Sequence, residues 1–364
     1  MKTQFQCATC VAVLCIVLTL GLWPFHAPRN GVAWLGNRNG LRFGTWSTVI
    51  GTGAFPTGVE SGASGSIEVW LQPRRIWDAS TLLAFYTPGY PSHFSLRQSE
   101  AGLELHTRTT DAPQCLYVRD GIRRSGRMFL TIAFGPYVTA IYTNGVLVKA
   151  APQFRLSANA LTGRLVLGDS PGQPDNWSGQ LLGLAIYRRE LTAAQVLRHY
   201  ETWTRGEQPD LSNDEEIAAL YLFNERGGNV VHNLVRSDVD LYIPEKYAVE
   251  DKIVLEPFWR EFSTSRSYWD AAFKNVVGFI PLGFCFYAYL SARQVRRPAL
   301  VTVILACAVS LTIEILQAYL PTRDSGTTDL FTNTFGSYVG IITCRAVPPV
   351  LAKRFPWWCR HPSG

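Results

Sequence analysis

The chain has 364 residues, 47% of them apolar and only 17% charged, with a formal net charge of +6. Its length allows more than one domain, and its charged share lies below the ~25% usual for soluble domains. No Lys/Arg run is long enough to argue for nucleic acid as a partner, so the basic residues read as solvated surface and membrane flanks. The apolar residues crowd into the first 25 positions and into the part after residue 271, and the stretch between reads as a soluble β-rich chain.

The first element is an apolar run from Cys7 to Trp23, uncharged throughout and closed by Pro24. About 17 residues is the short end of what crosses a bilayer. A cleaved signal peptide is the competing reading. Its basic start is only Lys2, and Phe25-His26-Ala27 is a weak cleavage site because its first residue is bulky. An uncleaved anchor over residues 1–28 is expected. Cys7-Ala-Thr-Cys10 has redox-motif spacing without a βαβ context and reads as apolar filler.

Residues 29–204 read as a run of short strands. "GSIEVWLQP" (Gly65–Pro73) alternates apolar and polar residues at period two. "STLLAFYT", "HFSLRQS", "GLELHTRT", "MFLTIAFG", "TAIYTNGVLVKA" and "GRLVLGDS" follow, with turns between. Asn144-Gly145 is a hairpin signal, because both turn positions need φ > 0. Strands at this spacing argue for a β-sandwich. "ELTAAQVLRHYETW" (Glu190–Trp203) then reads as one amphipathic helix with Thr192 as its N-cap. Cys115 is the one cysteine of the eight in this soluble region, so the domain must hold itself by its core rather than by an internal disulfide.

Four stretches carry a family resemblance: "WLGNRNGLRFG" (Trp34–Gly44), "SIEVWLQP", "YTNGVLV" (Tyr142–Val148) and "WSGQLLGLAIYRRELTAAQVLRHY" (Trp177–Tyr200). Together they resemble a laminin G-like, concanavalin A-like jelly-roll domain. The resemblance implies a module that binds glycans or protein surfaces, with calcium held in loops in some members. Asp169, Asp175 and Asn176 form the one loop with suitable oxygens. Calcium asks for six to eight oxygen ligands, so a solvated turn is the favoured reading there and no other cofactor is expected.

Residues 205–267 open with a polar linker, "RGEQPDLSNDEE" (Arg205–Glu216). "IAALYLFNERGGNVVHNLVRSDVDLYIP" (Ile217–Pro244) reads as further strands about a Gly-Gly turn. These either complete the sandwich or lie between it and the membrane, and the sequence leaves both open.

Three more apolar runs follow, at about Phe273–Ala292, Pro298–Leu320 and Asp329–Leu351, in a region taken as residues 268–352. Arg345 and Pro348-Pro349 weaken the last of them. With the first run they make a bundle of four membrane helices. Arg293, Arg296 and Arg297 lie in one short connection, and Lys353, Arg354 and Arg360 lie in the tail, residues 353–364. The positive-inside rule places both in the cytoplasm, and the N-terminus with them. The β-rich domain then lies outside, in a multi-pass protein of a bacterial cytoplasmic membrane. Tyr268, Trp269, Trp357 and Trp358 suit the aromatic belts.

Polar residues gather at one depth. At ~1.5 Å of rise per residue, Glu314 and Gln317 lie ~9 and ~5 Å below the outer end of the third helix, Asn333 ~6 Å into the fourth and Asn275 ~7 Å into the second. Ser310, Glu314 and Gln317 share one helical face, as do Asp329, Asn333, Gly336 and Gly340. The glycines permit close approach of a helix or a ligand. Asn275, Gly278 and Pro281-Leu282-Gly283 are placed to line the same space. Polar groups at membrane depth are costly unless they have partners, so their joint alignment argues for a shared outward-facing pocket. Glu314 taken alone also reads as a structural hydrogen-bonding group, and Arg323 with Asp324 as a rim ion pair.

"N-x4-IPLG" (Asn275, Ile280–Gly283), "E-x2-Q" (Glu314, Gln317) and "RD-x4-D-x3-N-x2-G" (Arg323, Asp324, Asp329, Asn333, Gly336) resemble the VanZ-like membrane family. Its founding member is associated with resistance to the glycopeptide teicoplanin. The first apolar run takes the place of the family's first helix, and the laminin G-like domain is an insertion in the first external loop. The expected ligand-binding residues are Asn275, Glu314, Gln317, Arg323, Asp324, Asp329 and Asn333. Three readings compete. One is a non-enzymatic envelope protein that binds a glycan or protein outside and a lipid-linked ligand in the membrane. Another is an outer-leaflet enzyme acting on a lipid-linked head group, with Glu314 or Asp329 as general base and Arg323 as an anion clamp. The last is a transporter. No nucleophile motif or metal-ligand spacing supports the enzyme, and no internal repeat supports the transporter, so the first is favoured.

Overall fold

A computed structural model describes residues 2–56, 64–89, 93–108, 113–119, 121–122, 126–156, 158–205, 216–262 and 266–347. The basic tail at 353–364, the end of the fourth apolar run and most of the polar linker lie outside these residues. The chain divides into two compact units, Pro28–Lys252 and the segments on either side of it.

The inner segment of chain is the β unit. Its strands are β1 (Ala33–Trp34), β2 (Leu41–Phe43), β3 (Val49–Phe55), β4 (Gly65–Pro73), β5 (Ala79–Tyr86), β6 (Phe94–Ser99), β7 (Gly102–Arg108) and β8 (Pro113–Val118). There follow β9 (Met128–Phe134), β10 (Thr139–Thr143), β11 (Val146–Ala151), β12 (Gly163–Leu167), β13 (Gly179–Tyr187), β14 (Ile217–Tyr221), β15 (Val230–Val231) and β16 (Leu241–Tyr242). They form two eight-stranded sheets among the described residues. The first runs β1-β2-β13-β4-β9-β10-β11, with β14 beside β13, and the second runs β15-β16-β3-β12-β5-β6-β7-β8.

Alternation decides what each strand buries. Leu41 and Phe43 of β2 and Ile67, Val69 and Leu71 of β4 face the core, as do Phe94 and Leu96 of β6 and Leu103 and Leu105 of β7. Side chains that alternate across a strand put one whole set between the sheets. Trp177 is fully buried there, and its indole N–H donates to Gln98 Oε1 at 3.0 Å, which satisfies both buried polar groups. The Asn144-Gly145 turn has the two positive φ angles the hairpin needs, +53° and +78°.

The strands after residue 216 belong to the sandwich rather than lying between it and the membrane. β14 pairs with β13 over Leu184–Tyr187, and β2 pairs with the opposite half of the same edge, over Gly179–Leu181. β16 pairs with β3. The compact unit therefore runs beyond residue 204, to Lys252. A helix lies across the outer face of the first sheet.

That first-sheet helix follows the chain's N-terminal helix, so the two are α1 (Lys2–Leu22) and α2 (Ala193–Arg205). Thr192 caps α2 reciprocally with Gln195: the Gln195 amide donates to Thr192 Oγ1, and the Thr192 amide donates to Gln195 Oε1 at 3.0 Å. Val196 and Trp203 of α2 pack on Phe129, Tyr142, Ala185 and Tyr187.

The other unit holds α1, a short α3 (Phe258–Glu261), α4 (Arg266–Ala292), α5 (Pro298–Ala318) and α6 (Thr327–Ala346). Gln4–Leu22, Tyr268–Ala292 and Pro298–Ala318 are long and apolar enough to cross a membrane. α6 is less apolar on average because it packs a polar face inward. Asn333, Gly336, Ser337 and Gly340 are buried, whereas Phe331, Phe335, Tyr338 and Ile342 are exposed at helical spacing. That outer stripe is what a lipid-facing helix presents. A Cβ on Gly336 would meet the Val276 carbonyl, and one on Gly340 the Ile280 carbonyl, so these glycines admit α4 rather than a ligand.

Candidate functional site

Each unit has a place that combines polar side chains with access. In the helical unit the aligned residues do come together, mainly by bonding the helix ends to one another. Glu314 is 1% exposed, and its Oε2 accepts the amide of Gly326, the residue before α6, at 2.9 Å. Asn333 donates to Ser310 Oγ at 3.0 Å, which joins α6 to α5. Gln317 donates to the Gly21 carbonyl at 2.8 Å, which joins α5 to α1. Arg323 donates through Nε to the Trp23 carbonyl at 2.9 Å and through Nη2 to the Leu20 carbonyl at 3.4 Å. Its guanidinium thus covers carbonyls that the end of α1 leaves open, in place of the rim ion pair or anion clamp the sequence suggested.

Three members of the set stay at the mouth. Asn275 of α4 hydrogen-bonds the Asp329 side chain of α6, and both residues are half-buried. Asp324 is exposed beside them. Gly278 and Pro281 are exposed on α4 and do not line this space, and Gly283 packs on the Ser337 backbone.

Sequence reasoning missed two carboxylates here. Glu261 Oε2 accepts the Thr328 amide at 2.9 Å, in the first turn of α6. The Glu256 carbonyl accepts the Thr327 amide at 2.9 Å and its hydroxyl at 3.0 Å, and Leu255 donates to Ser325 Oγ at 3.1 Å. Residues 255–261 are thereby strapped to the α5–α6 turn. Burial, and then the Glu261 carboxylate beside it, push Glu256 above the ordinary carboxylate range. Glu261, Asp324 and Asp329 all act on Glu314 through space, so acidic charge concentrates at the positive end of the α6 dipole. These two acids sit in a stretch with no helical or strand period, which is why nothing in the sequence marked them.

In the β unit, the calcium candidates are already committed to protein donors. Asp169 Oδ1 accepts the amides of Ser170 and Asp175 at 2.9 and 2.8 Å, and its Oδ2 accepts the Tyr247 hydroxyl at 2.7 Å. Asp175 Oδ2 accepts Thr81 Oγ1 at 2.5 Å and pairs with Arg97 at 3.0 Å. Asn176 donates to the Ser47 carbonyl at 3.3 Å. Oxygens saturated by N–H and O–H donors, with an arginine at one of them, do not suit a calcium ion. Among the described residues no group of three or more His, Cys, Asp or Glu is arranged to hold a metal. Burial of Asp169 pushes its carboxyl up to about 7 despite its three donors.

An accessible polar place in this unit is a cleft of about 590 Å³ at one end of β2, β13 and β4 in the first sheet, lined by Arg42, Gln72, Arg74 and Gln180 with the backbone between them. Arg42 of β2 stands opposite Gln180 of β13, and Gln180 stands opposite Gln72 of β4. Cross-strand partners share a face, so the three side chains form one row across three strands on the side away from the core. Sequence alternation marks Arg42 and Gln72 as outward-facing. Their adjacency depends on β13 inserting between β2 and β4, which no local pattern reveals.

Residues 218–348 match the VanZ/LLP1 family, and residues 34–197 match the concanavalin A-like lectin/glucanases superfamily. The first match begins in β14 of the sandwich and takes in α4, α5 and α6. No curated protein matches the chain. Among solved structures, a Bacteroides ovatus protein provisionally described as carbohydrate binding is 13% identical, with a TM-score of 0.42, over 59% of this chain and 61% of its own. The Ruminococcus gnavus IT-sialidase CBM40 is 17% identical, with a TM-score of 0.35, over 45% of this chain and 97% of its own. The SAP-like pentraxin of Limulus polyphemus is 12% identical, with a TM-score of 0.36, over 61% of this chain and 95% of its own. This chain spans less than two thirds of the first of these structures.

Proposed function

We propose that this VanZ-like membrane protein, into which a concanavalin A-like sandwich is inserted, uses the sandwich to bind a glycan outside a bacterial cytoplasmic membrane. The observation that carries the reading is the polar row Arg42, Gln180 and Gln72 in an open cleft of about 590 Å³. A saccharide offers many hydroxyls and little apolar surface, and amides and guanidiniums spaced along a sheet match that chemistry. The orientation rests on Arg293, Arg296 and Arg297 between α4 and α5, which the positive-inside rule assigns to the cytoplasm. The membrane unit then opens its polar end outward, where Asn275 and Asp329 offer a lipid-linked head group a donor and an acceptor. Such a protein would serve envelope glycan assembly or glycopeptide resistance of the teicoplanin type. The test is the full chain in lipid nanodiscs on a glycan array, beside protease mapping of intact cells. Retention of glycans and cleavage of the sandwich from outside are expected, and failure of either counts against the reading.

One observation favours an outer-leaflet enzyme as the second reading. The Asn275–Asp329 pair is half-buried at the mouth, as a general base with an orienting amide would be. Asp329 rather than Glu314 is then the base, since Glu314 is enclosed and bound to Gly326. Turnover of a lipid-linked saccharide precursor by the purified chain, lost in Asp329→Asn, is the expected result. An equally active Asp329→Asn protein removes this role.

A further inference from the structure

Arg42 and Arg74, which both line the cleft, have no carboxylate partner among the described residues. Elsewhere in the same unit Arg97 pairs with Asp175, Arg164 with Glu250, Arg189 with Glu216 and Arg236 with Asp238. A guanidinium that keeps no partner in a concave place is set for an anion supplied from outside, because its fork of donors fits a carboxylate or sulfate edge. The row gives the charge a direction. Arg42 stands at one end, on β2, then Gln180 and Gln72 follow in register, and Arg74 lies two residues past Gln72 along the chain. Gln180 Oε1 is buried without a hydrogen-bond partner among the described residues, so an acceptor beside the arginines still awaits a donor. Turned toward the cleft, the Gln180 amide would give up no bond and would meet a hydroxyl next to the anionic group.

We propose that the cleft takes an acidic oligosaccharide, its carboxylate or sulfate ester held by Arg42 and Arg74 and its hydroxyls by Gln72 and Gln180. This assignment rests on the glycan reading and narrows it to one charge class. It also places the ligand on the sheet face that carries α2, at the open end that the helix leaves uncovered. There the apolar cover of Val196 and Trp203 gives way to polar side chains.

The experiment measures binding of the full chain in zwitterionic nanodiscs to three immobilised probes: an oligogalacturonate, a sulfated carrageenan oligosaccharide without carboxylates and a neutral cello-oligosaccharide. At least one acidic probe is expected to bind about tenfold more tightly than the neutral one, and to weaken as salt rises. The acidic probe that binds identifies carboxylate or sulfate as the anion. Arg42→Gln and Arg74→Gln should each weaken that probe about threefold, and together bring it to the level of the neutral one. Arg226→Gln removes the same charge from the same unit outside the cleft lining, and should change nothing. Arg42 is exposed, so its variant should melt as the parent does, which is checked alongside. Preferential binding of the neutral probe, or acidic binding that survives the double substitution, overturns the assignment while glycan binding stands. Retention of no probe overturns both.

Discussion

The Glu314 carboxylate, one turn from the end of α5, accepts the Gly326 amide at 2.9 Å and so fixes where α6 begins. A carboxylate within a span is costly to place, and this one is kept by giving a helix N-terminus its missing acceptor. The bond needs an acceptor, not a charge. Glu314→Gln should therefore fold and melt within a few degrees of the parent in detergent. Glu314→Ala leaves the Gly326 amide enclosed and unmet, and should lose ~1–3 kcal/mol. Equal melting of the two variants would show that the bond contributes little.

The glycine contacts between α4 and α6 make a second prediction. Gly336→Ala drives a methyl group into the Val276 carbonyl, and neither backbone has room to move without parting the helices. A cost of ~1–3 kcal/mol is expected, as for overpacked cores. Gly278→Ala is the control, since a Cβ there has nothing within 4 Å. Its yield and melting should equal the parent's.

A third concerns the sandwich. Glu68 of β4 is fully buried under α2, where Tyr187 donates to it at 2.9 Å and His199 Nδ1 lies 3.1 Å from both its oxygens. His199→Ala removes one of these partners and should cost ~1–3 kcal/mol. The loss should appear as faster hydrogen exchange in α2, because His199 is the residue by which the helix holds Glu68.

The pH dependence of the sandwich should bear the mark of Asp169. Its carboxyl titrates at about 7 in the fold against an ordinary value of 3.8. The folded state therefore holds the proton more tightly than the unfolded one. That contribution is present below about pH 4 and is lost as pH rises through 7, at most on the order of 4 kcal/mol. Asp169→Asn keeps an acceptor for the Ser170 and Asp175 amides and cannot ionise. Denaturant unfolding from pH 4 to 8 should show the variant gaining on the parent as pH rises. A constant difference between them would rule out the shift.

Much of the molecule was legible in its residues. Period-two alternation in "SIEVWLQP" and the Asn144-Gly145 turn identified strands and a hairpin, because strand pleat and positive φ are local properties. Thr192 and Gln195 marked the start of α2 for the same reason. The helical spacing of Ser310, Glu314 and Gln317 placed them on one face, and the structure keeps them buried together. Arg323 was less legible. Its charge suggested an anion clamp, yet its partners are the main-chain carbonyls of Leu20 and Trp23, roughly 300 residues away in sequence.

The sequence by itself determined that a β-sandwich sits between apolar runs, and which faces of those runs are polar. Periodicity and hydrophobic length carry that information, since each is written within a few turns of chain. Only the tertiary structure decided which polar groups spend their hydrogen bonds on one another and which remain for a ligand. Glu314 and Gln317 are taken up by Gly326 and Gly21, whereas Arg42 and Arg74 keep their charge for the cleft. That division depends on contacts between distant strands and helices, such as β13 entering between β2 and β4. Pairing of that kind follows from the global packing of the sheet, and no short stretch of residues encodes it.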